Sequence, residues 1–385
     1  MLNSDILYFD YAATTPCAPE VADAIYTCLT NKSINTNASS SHRLADTALA
    51  AIEDARGSCA NLIGAKPSEI VFTSGATESD NLALLGMSPF LKAEEKTHIV
   101  SSSSEHKAVL DTLKHLEKLG HKVTLIDPNA EGVISIGSLS AALQPDTGLV
   151  SIMHANNETG VVQDIESLGA LAKHHGAVFH VDAAQSAGKL PINVETMNID
   201  LLSMCAHKVY GPKGCGALFV RSHLQKNLSP MLFGGGQEKR IRPGTYANHQ
   251  IIGLGKTFDL AIAQMEADLA YSSKLRSLLI DTLGNTVTNI NGSPHGLPNI
   301  LNVSIDGVDA TTLLTTLQDR VALATGSACN SGTVSPSHVL RAMGIDGERL
   351  GNAIRISFGR YTSLEDAEMA GQIIRKEAER IRSFF

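Results

Sequence analysis

Between residues 70 and 205 the chain repeats one pattern: a short apolar run, a tight turn, then a stretch of helical periodicity. Ile70-Val71-Phe72-Thr73 leads through Ser74-Gly75-Ala76 into a helical pattern over residues 77–91. Residues 98–102 precede a helical pattern over 106–119, residues 149–153 precede one over 164–175, and further apolar runs occupy 178–181 and 201–204. These runs show no clean apolar/polar alternation, so both of their faces must be covered. Strands of that kind separated by helices form a mainly parallel sheet with helices on both sides, an α/β fold.

Flanking segments read differently. Residues 8–16 form an arm, a helix follows over 19–29, residues 33–43 are an Asn/Ser-rich loop, and an Ala-rich helix over 46–63 stops at Gly64. A long helical pattern over 251–283 changes character near its middle, which predicts a hinge into a second unit. That unit holds strands at 299–305 and 354–358, helices over 310–317 and 364–381, and a loop around Cys329. The expected division is a large domain over 15–260 and a smaller α+β domain made of 1–14 and 261–385. With 385 residues, 43% of them hydrophobic, the chain can fill two cores.

The net charge of -8 gives no positive field for a nucleic-acid backbone, so direct nucleic-acid binding is not expected. No apolar run is long enough for a membrane span and no signal-peptide pattern opens the chain, which predicts a cytoplasmic protein. Six cysteines contain no C-x-x-C pair, so neither a metal site nor a disulfide framework is indicated. Cys329 lies among small polar residues, Gly326-Ser327-Ala328-Cys329-Asn330-Ser331-Gly332, and is a candidate nucleophile on an exposed loop.

The chemistry centres on Ala206-His207-Lys208-Val209-Tyr210-Gly211-Pro212-Lys213-Gly214, just past the run ending at Met204. Apolar surroundings favour the free amine of a lysine and so its Schiff-base chemistry; in isolation, such a residue is also an ordinary surface lysine. Gly75-Ala76-Thr77 sits where a strand feeds a helix, a place for a phosphate or for a plain N-cap. Asp182 ends another apolar run, in the crevice where open α/β sheets bind ligands, and could face a pyridine nitrogen or cap a helix. Gln185 and Asn157 are neutral donors near strand ends, and His106 offers a flat ring at a helix start.

Together these residues resemble the cysteine desulfurases of the class V aminotransferase family, enzymes of the aspartate-aminotransferase-like fold. The likeness rests on Asp10-Tyr11-Ala12-Ala13-Thr14-Thr15-Pro16, Thr73-Ser74-Gly75-Ala76-Thr77-Glu78-Ser79-Asp80-Asn81, Glu105-His106-Lys107-Ala108-Val109-Leu110, His180-Val181-Asp182-Ala183-Ala184-Gln185, the Lys208 stretch and Thr325-Gly326-Ser327-Ala328-Cys329. It implies a large domain built on a mainly parallel seven-stranded sheet, and pyridoxal 5'-phosphate as cofactor. Lys208 would hold the cofactor covalently, Asp182 would pair with the ring nitrogen, and His106 would stack on the ring and assist proton transfer. Asn157 and Gln185 would address the ring oxygen, while Ala76, Thr77, Cys205 and His207 would surround the phosphate.

The resemblance further implies a homodimer in which Thr245 reaches the phosphate of the neighbouring subunit. Arg355, with Asn157, would bind the carboxylate of L-cysteine, and Cys329 would take its sulfur as a persulfide for an acceptor protein, leaving L-alanine. Cys205-Ala206 replaces the Ser-Gly of housekeeping relatives, and a thiol is the weaker donor, so one phosphate contact is expected to weaken by about 1 kcal/mol. Residues 231–238 and 336–344 look similar to desulfurases of DNA phosphorothioation systems, and the chain ends soon after its last helix, without the docking tail of housekeeping enzymes. Sulfur donation to iron-sulfur assembly or tRNA thiolation, and a selenocysteine lyase, are the alternatives.

Overall fold

The computed structural model describes residues 6–325 and 336–384. In chain order the elements are β1 (Leu7–Tyr8), α1 (Pro19–Thr30), α2 (Arg43–Ile63), β2 (Ile70–Thr73), α3 (Ala76–Ala93), β3 (His98–Ser102), α4 (Lys107–Lys118), β4 (Lys122–Ile126), α5 (Ile136–Ala142) and β5 (Thr147–Ser151). There follow α6 (Ile165–His175), β6 (Val178–Asp182), β7 (Leu201–Cys205), β8 (Gly216–Val220), α7 (Asn248–Leu283), β9 (Asn289–Ile290) and β10 (Ile300–Ser304). The described chain closes with α8 (Ala310–Leu317), β11 (Val321–Ala322), α9 (His338–Ala342), α10 (Gly347–Gly351), β12 (Ala353–Ser357) and α11 (Leu364–Arg382).

A seven-stranded sheet runs in the order β2-β8-β7-β6-β5-β3-β4. Strands β3 to β7 pair in parallel, and only β8 is antiparallel to its neighbours β2 and β7. The α/β class expected from the alternation is therefore the observed one. Two strands of this sheet escaped the sequence reading. β4 carries polar residues and follows Gly120 closely, while β8 is one short apolar run with no helix before it.

The missing alternation has a simple cause: successive side chains point to opposite faces, and both faces are apolar. Val71, Ile99, Leu149, Leu201 and Leu218 face a core shared with α3 and α4. Phe72, Val100, Val150, Leu202 and Phe219 face the other core, against α2, α6 and the first half of α7. Each such side chain contributes roughly 1.5–3 kcal/mol by leaving water.

A separate core gathers β10, β12, α8, α11 and the second half of α7, through Leu279, Leu301, Ile354 and Ile374. The 36-residue α7 runs unbroken through both cores, so the change of character in its sequence marks a change of neighbours. Because β2 and β3 to β7 point the same way, they all end along one edge of the sheet. Gly75, His106, Asn157, Asp182 and Lys208 lie at or just past those ends.

Candidate active site

The first corner of the site is the turn from β2 into α3. Gly75 has φ 152° and ψ 179°, a region essentially restricted to glycine. A Cβ on Gly75 would meet nothing within 4 Å, whereas one on Gly216 would fall 2.7 Å from the Gly75 Cα. The turn is thus packed tightly from behind and open in front. Ala76 and Thr77 open α3, so their N–H groups have no acceptor within the helix and are free for an anion.

Glu78 braces this turn, accepting from the Ser74 N–H at 2.7 Å and from Arg242 at 2.8 Å. Burial alone would raise its carboxyl; the bonds from Arg242 and Ser74 outweigh that and hold it below the usual carboxylate range.

The second corner is the turn after β7 that carries Lys208. The Gly211 N–H returns to the Ala206 carbonyl at 3.0 Å, and Tyr210 sits at φ 67°. This conformation is held by the N-terminal arm. The Thr15 N–H donates to the His207 carbonyl at 2.9 Å, and the Tyr210 N–H donates to Thr15 Oγ1 at 2.7 Å. Burial first, then the charges of Lys208, Lys213 and Lys189, pushes the His207 imidazole down to about 4. Such a cluster of cations suits a dianion.

Asp182, at the end of β6, forms the third corner. Its Oδ1 accepts from the Ala184 N–H at 2.8 Å. Beside it lies Asp80, 1% exposed, with neither carboxylate oxygen hydrogen-bonded among the described residues. Burial pushes the Asp80 carboxyl well up, and the Asp182 charge adds to the effect, so Asp80 is held as the neutral acid. His180 Nε2 lies 3.6 Å from Asp80 Oδ1, while its ring contacts Ser151 at 2.9 Å and Ser203 at 3.1 Å.

His106 caps α4. Its Nδ1 accepts from the Ala108 N–H at 3.1 Å, so in the neutral ring Nε2 carries the proton. Burial chiefly, with the positive charges of Lys208, His338 and Lys107, pushes the imidazole down, against the pull of Asp182.

These corners enclose one cavity of about 520 Å³. Of the residues singled out from sequence, Ala76, Thr77, His106, Asn157, Asp182, Gln185, His207 and Lys208 line it. Asp80, Lys213 and Thr14 line it too and were not identified. A signal for Asp80 existed: it stands three residues after Thr77, hence on the same helix face. No sequence signal relates Thr14 to His207, because 193 residues separate them.

Three expected site residues lie off this wall. Cys205 is buried and does not line it; burial pushes its thiol up, its Sγ lies 3.9 Å from the Ala184 carbonyl, and Lys208, Asp182 and Lys189 are its charged neighbours. Strand alternation puts Cys205 on the same face of the sheet as Ser203, the register partner of Asp182. Arg355, 4% exposed, lies behind Asn157, donating to its carbonyl at 2.9 Å and to Asp10 at 2.8 Å. Thr245 is exposed and does not line the cavity of its own chain. Cys329 lies outside the described residues. The chain enters that segment past Ala324, whose carbonyl accepts from the Arg355 N–H at 2.7 Å, and leaves it at Ser337, bonded to Glu158 at 2.5 Å.

The donor set fits pyridoxal 5'-phosphate: helix N–H groups and cations at one end, an amine on a turn beside them, and carboxyl groups at the other, including an orphaned buried acid that lines the space. Comparison with known proteins agrees. The aminotransferase class-V family matches residues 7–369. Cysteine desulfurase IscS of Photobacterium profundum is 46% identical over 379 residues, spanning 98% of this chain and 93% of that one. A solved NifS-like protein superposes with a TM-score of 0.90 at 34% identity, covering 99% of this chain and all of the other. SspA, solved in complex with cysteine, superposes at 0.83 with 40% identity over 92% of this chain and 99% of its own. DndA from Streptomyces lividans superposes at 0.78 with 39% identity over 90% and 98%. The chain belongs to the aminotransferase class-V family, whose members use pyridoxal 5'-phosphate.

Proposed function

We propose that this enzyme is a cysteine desulfurase that takes the sulfur of L-cysteine as a persulfide on Cys329, releases L-alanine and hands the sulfur to an acceptor protein. The observation that carries this is the convergence of Lys208, Asp182, His106 and the Ala76-Thr77 cradle on one cavity, in a chain 46% identical to relatives named as cysteine desulfurases.

Bound pyridoxal phosphate supplies an electron sink for the carbon next to the substrate's nitrogen. The chain's residues do the rest. Ala76, Thr77 and His207 would hold the phosphate, and Asp182 would accept from the ring nitrogen and favour its protonated form. Lys208, once its amine is free, is the base placed to move the substrate's α-proton. Neutral His106 gives the ring a flat neighbour and an N–H donor at Nε2. A role as general base is opposed, because a proton taken at either nitrogen would leave Nδ1–H facing the Ala108 N–H.

At Cys329 the thiolate attacks the sulfur of L-cysteine: one S–S bond forms, the C–S bond breaks, and its electron pair stays on carbon, where a proton completes the methyl group of alanine. Arg355 would meet the substrate carboxylate with its remaining N–H groups, among which Nε is buried and has no partner among the described residues. We place the domain division inside α7, with 15–260 large and 1–14 plus 261–385 small, and place Thr245 at the phosphate of a second copy in a homodimer.

The acceptor is a finer question. The 46% identity to proteins named IscS supports a donor to iron-sulfur assembly. The 39% identity to DndA supports the phosphorothioation reading. Alanine and sulfide release from L-cysteine with a thiol reductant tests the activity: equal yields from wild type, and none from Cys329→Ala or Lys208→Ala, are expected. Turnover persisting in Cys329→Ala would defeat the persulfide assignment. Persulfide transfer to an iron-sulfur scaffold, set beside transfer to a DNA-modification partner, separates the two acceptors.

A further inference from the structure

A second lysine stands behind the cavity without lining it, and its side chain bonds to a residue that does. Lys189 Nζ donates to Gln185 Oε1 at 3.1 Å, and Gln185 Nε2 donates to the Ala12 carbonyl at 2.8 Å. Gln185 is 2% exposed and lines the cavity.

The two ends of a carboxamide look alike in shape, but here both are decided by chemistry. A backbone carbonyl can only accept, so the nitrogen must face Ala12 and the oxygen is left facing the Lys189 amine, which has N–H groups to donate. A flipped amide would set NH2 against the amine and oxygen against oxygen. One N–H of the NH2 group serves Ala12, and the other remains for the cavity. Gln185 therefore presents a donor to the cavity, never an acceptor.

The support is rigid. Lys189 sits on a turn whose N–H returns to the Ser186 carbonyl at 2.9 Å. Gly188, at φ 80°, packs so closely that a Cβ there would fall 2.7 Å from Val209 and 3.0 Å from Ala261. Val209 adjoins Lys208, so the two lysine turns are packed against each other. Burial first, then the Lys208 charge, pushes the Lys189 amine down to about 7. Charged or neutral, it keeps N–H groups and so keeps the bond to Gln185.

We infer that Lys189 is a positioning residue that locks Gln185 as a hydrogen-bond donor toward the oxygen of the bound cofactor ring. The inference rests on the cofactor reading above, and its test has one arm with cofactor and one without.

In the holoenzyme, the pH titration of the cofactor's visible absorption band is compared in wild type, Lys189→Met, Gln185→Met and the double variant. Lys189→Met is expected to move the midpoint upward and to speed cofactor loss on dialysis about tenfold, the effect of one hydrogen bond. In the Gln185→Met background the same substitution should change neither. An equal shift in both backgrounds would mean that Lys189 acts through its charge alone, and no shift would mean that it does not act on the ring; either overturns the inference.

Without cofactor, the Gln185 side-chain N–H, followed by NMR after selective labelling, should exchange with water about tenfold faster in Lys189→Met than in wild type. Unchanged exchange overturns the lock. A wild-type protein that takes up no pyridoxal phosphate would sink the cofactor reading while this second arm still decides the lock.

Discussion

Arg355 on β12 reaches Asp10 in the N-terminal arm across 2.8 Å, joining residues 345 apart in sequence at the back of the cavity. The same guanidinium donates to the Asn157 carbonyl. One side chain thus ties together the arm, the second core and the sheet edge, while keeping Nε without a partner among the described residues. Strand β12 brings Arg355 there, and the isolated bridge between Asp10 and Ser357 fixes the arm alongside it.

Asp10 should therefore govern how Arg355 meets the substrate. Asp10→Asn weakens a charge-assisted bond and lets the guanidinium drift, so the KM for L-cysteine is expected to rise about tenfold with a smaller change in kcat. Steady-state alanine formation measures both. An unchanged KM would place substrate recognition elsewhere.

His106 should stay neutral, with its proton on Nε2, across the neutral pH range. Its imidazole is pushed down by burial and nearby cations, and the Ala108 N–H blocks Nδ1. Nitrogen-15 chemical shifts of labelled histidine read the tautomer directly. A protonated Nδ1 in the resting protein would contradict the cap geometry.

Asp80 should make the protein without cofactor less stable as pH rises. Its folded carboxyl is raised well above the ordinary value of about 3.9, so above that value the folded state holds a proton the unfolded chain has lost. Stability contributed this way is complete below pH of about 4 and declines by about 1.4 kcal/mol per pH unit until the folded group ionises. Asp80→Asn, which keeps the shape but not the titration, should flatten the dependence of the urea midpoint on pH by that one proton. Parallel curves for variant and wild type would show that Asp80 does not carry it.

Glu238 should be costly to replace. Three consecutive residues, Glu238, Lys239 and Arg240, have φ of 47°, 54° and 69°, an unfavourable run for side-chain-bearing residues. Glu238 holds it by accepting from Arg56 at 2.8 and 2.7 Å and from the Phe72 N–H at 2.8 Å. Glu238→Gln leaves buried Arg56 with only Glu53, half exposed and 3.1 Å away, as a charged partner among the described residues, so a loss of about 1.5–3 kcal/mol in urea unfolding is expected. A loss below about 1 kcal/mol would mean that the segment is held by other contacts.

Much of this protein was decided locally, and so was legible in its sequence. Apolar runs with both faces covered, the earlier ones each followed by a helix, specify a mainly parallel sheet because backbone pairing and side-chain alternation act over a few residues. Strand-end placement then put Ala76, Thr77, Asp182 and Lys208 at one edge, since a residue just past a parallel strand has no other place to go. What only the tertiary structure decided involves residues far apart in the chain. Thr15 clamps the Lys208 turn, Asp10 engages Arg355, and Asp80 stays neutral because its burial and its neighbour Asp182 come from different strands and helices. Burial and electrostatic coupling depend on distance in space, which a linear sequence does not contain.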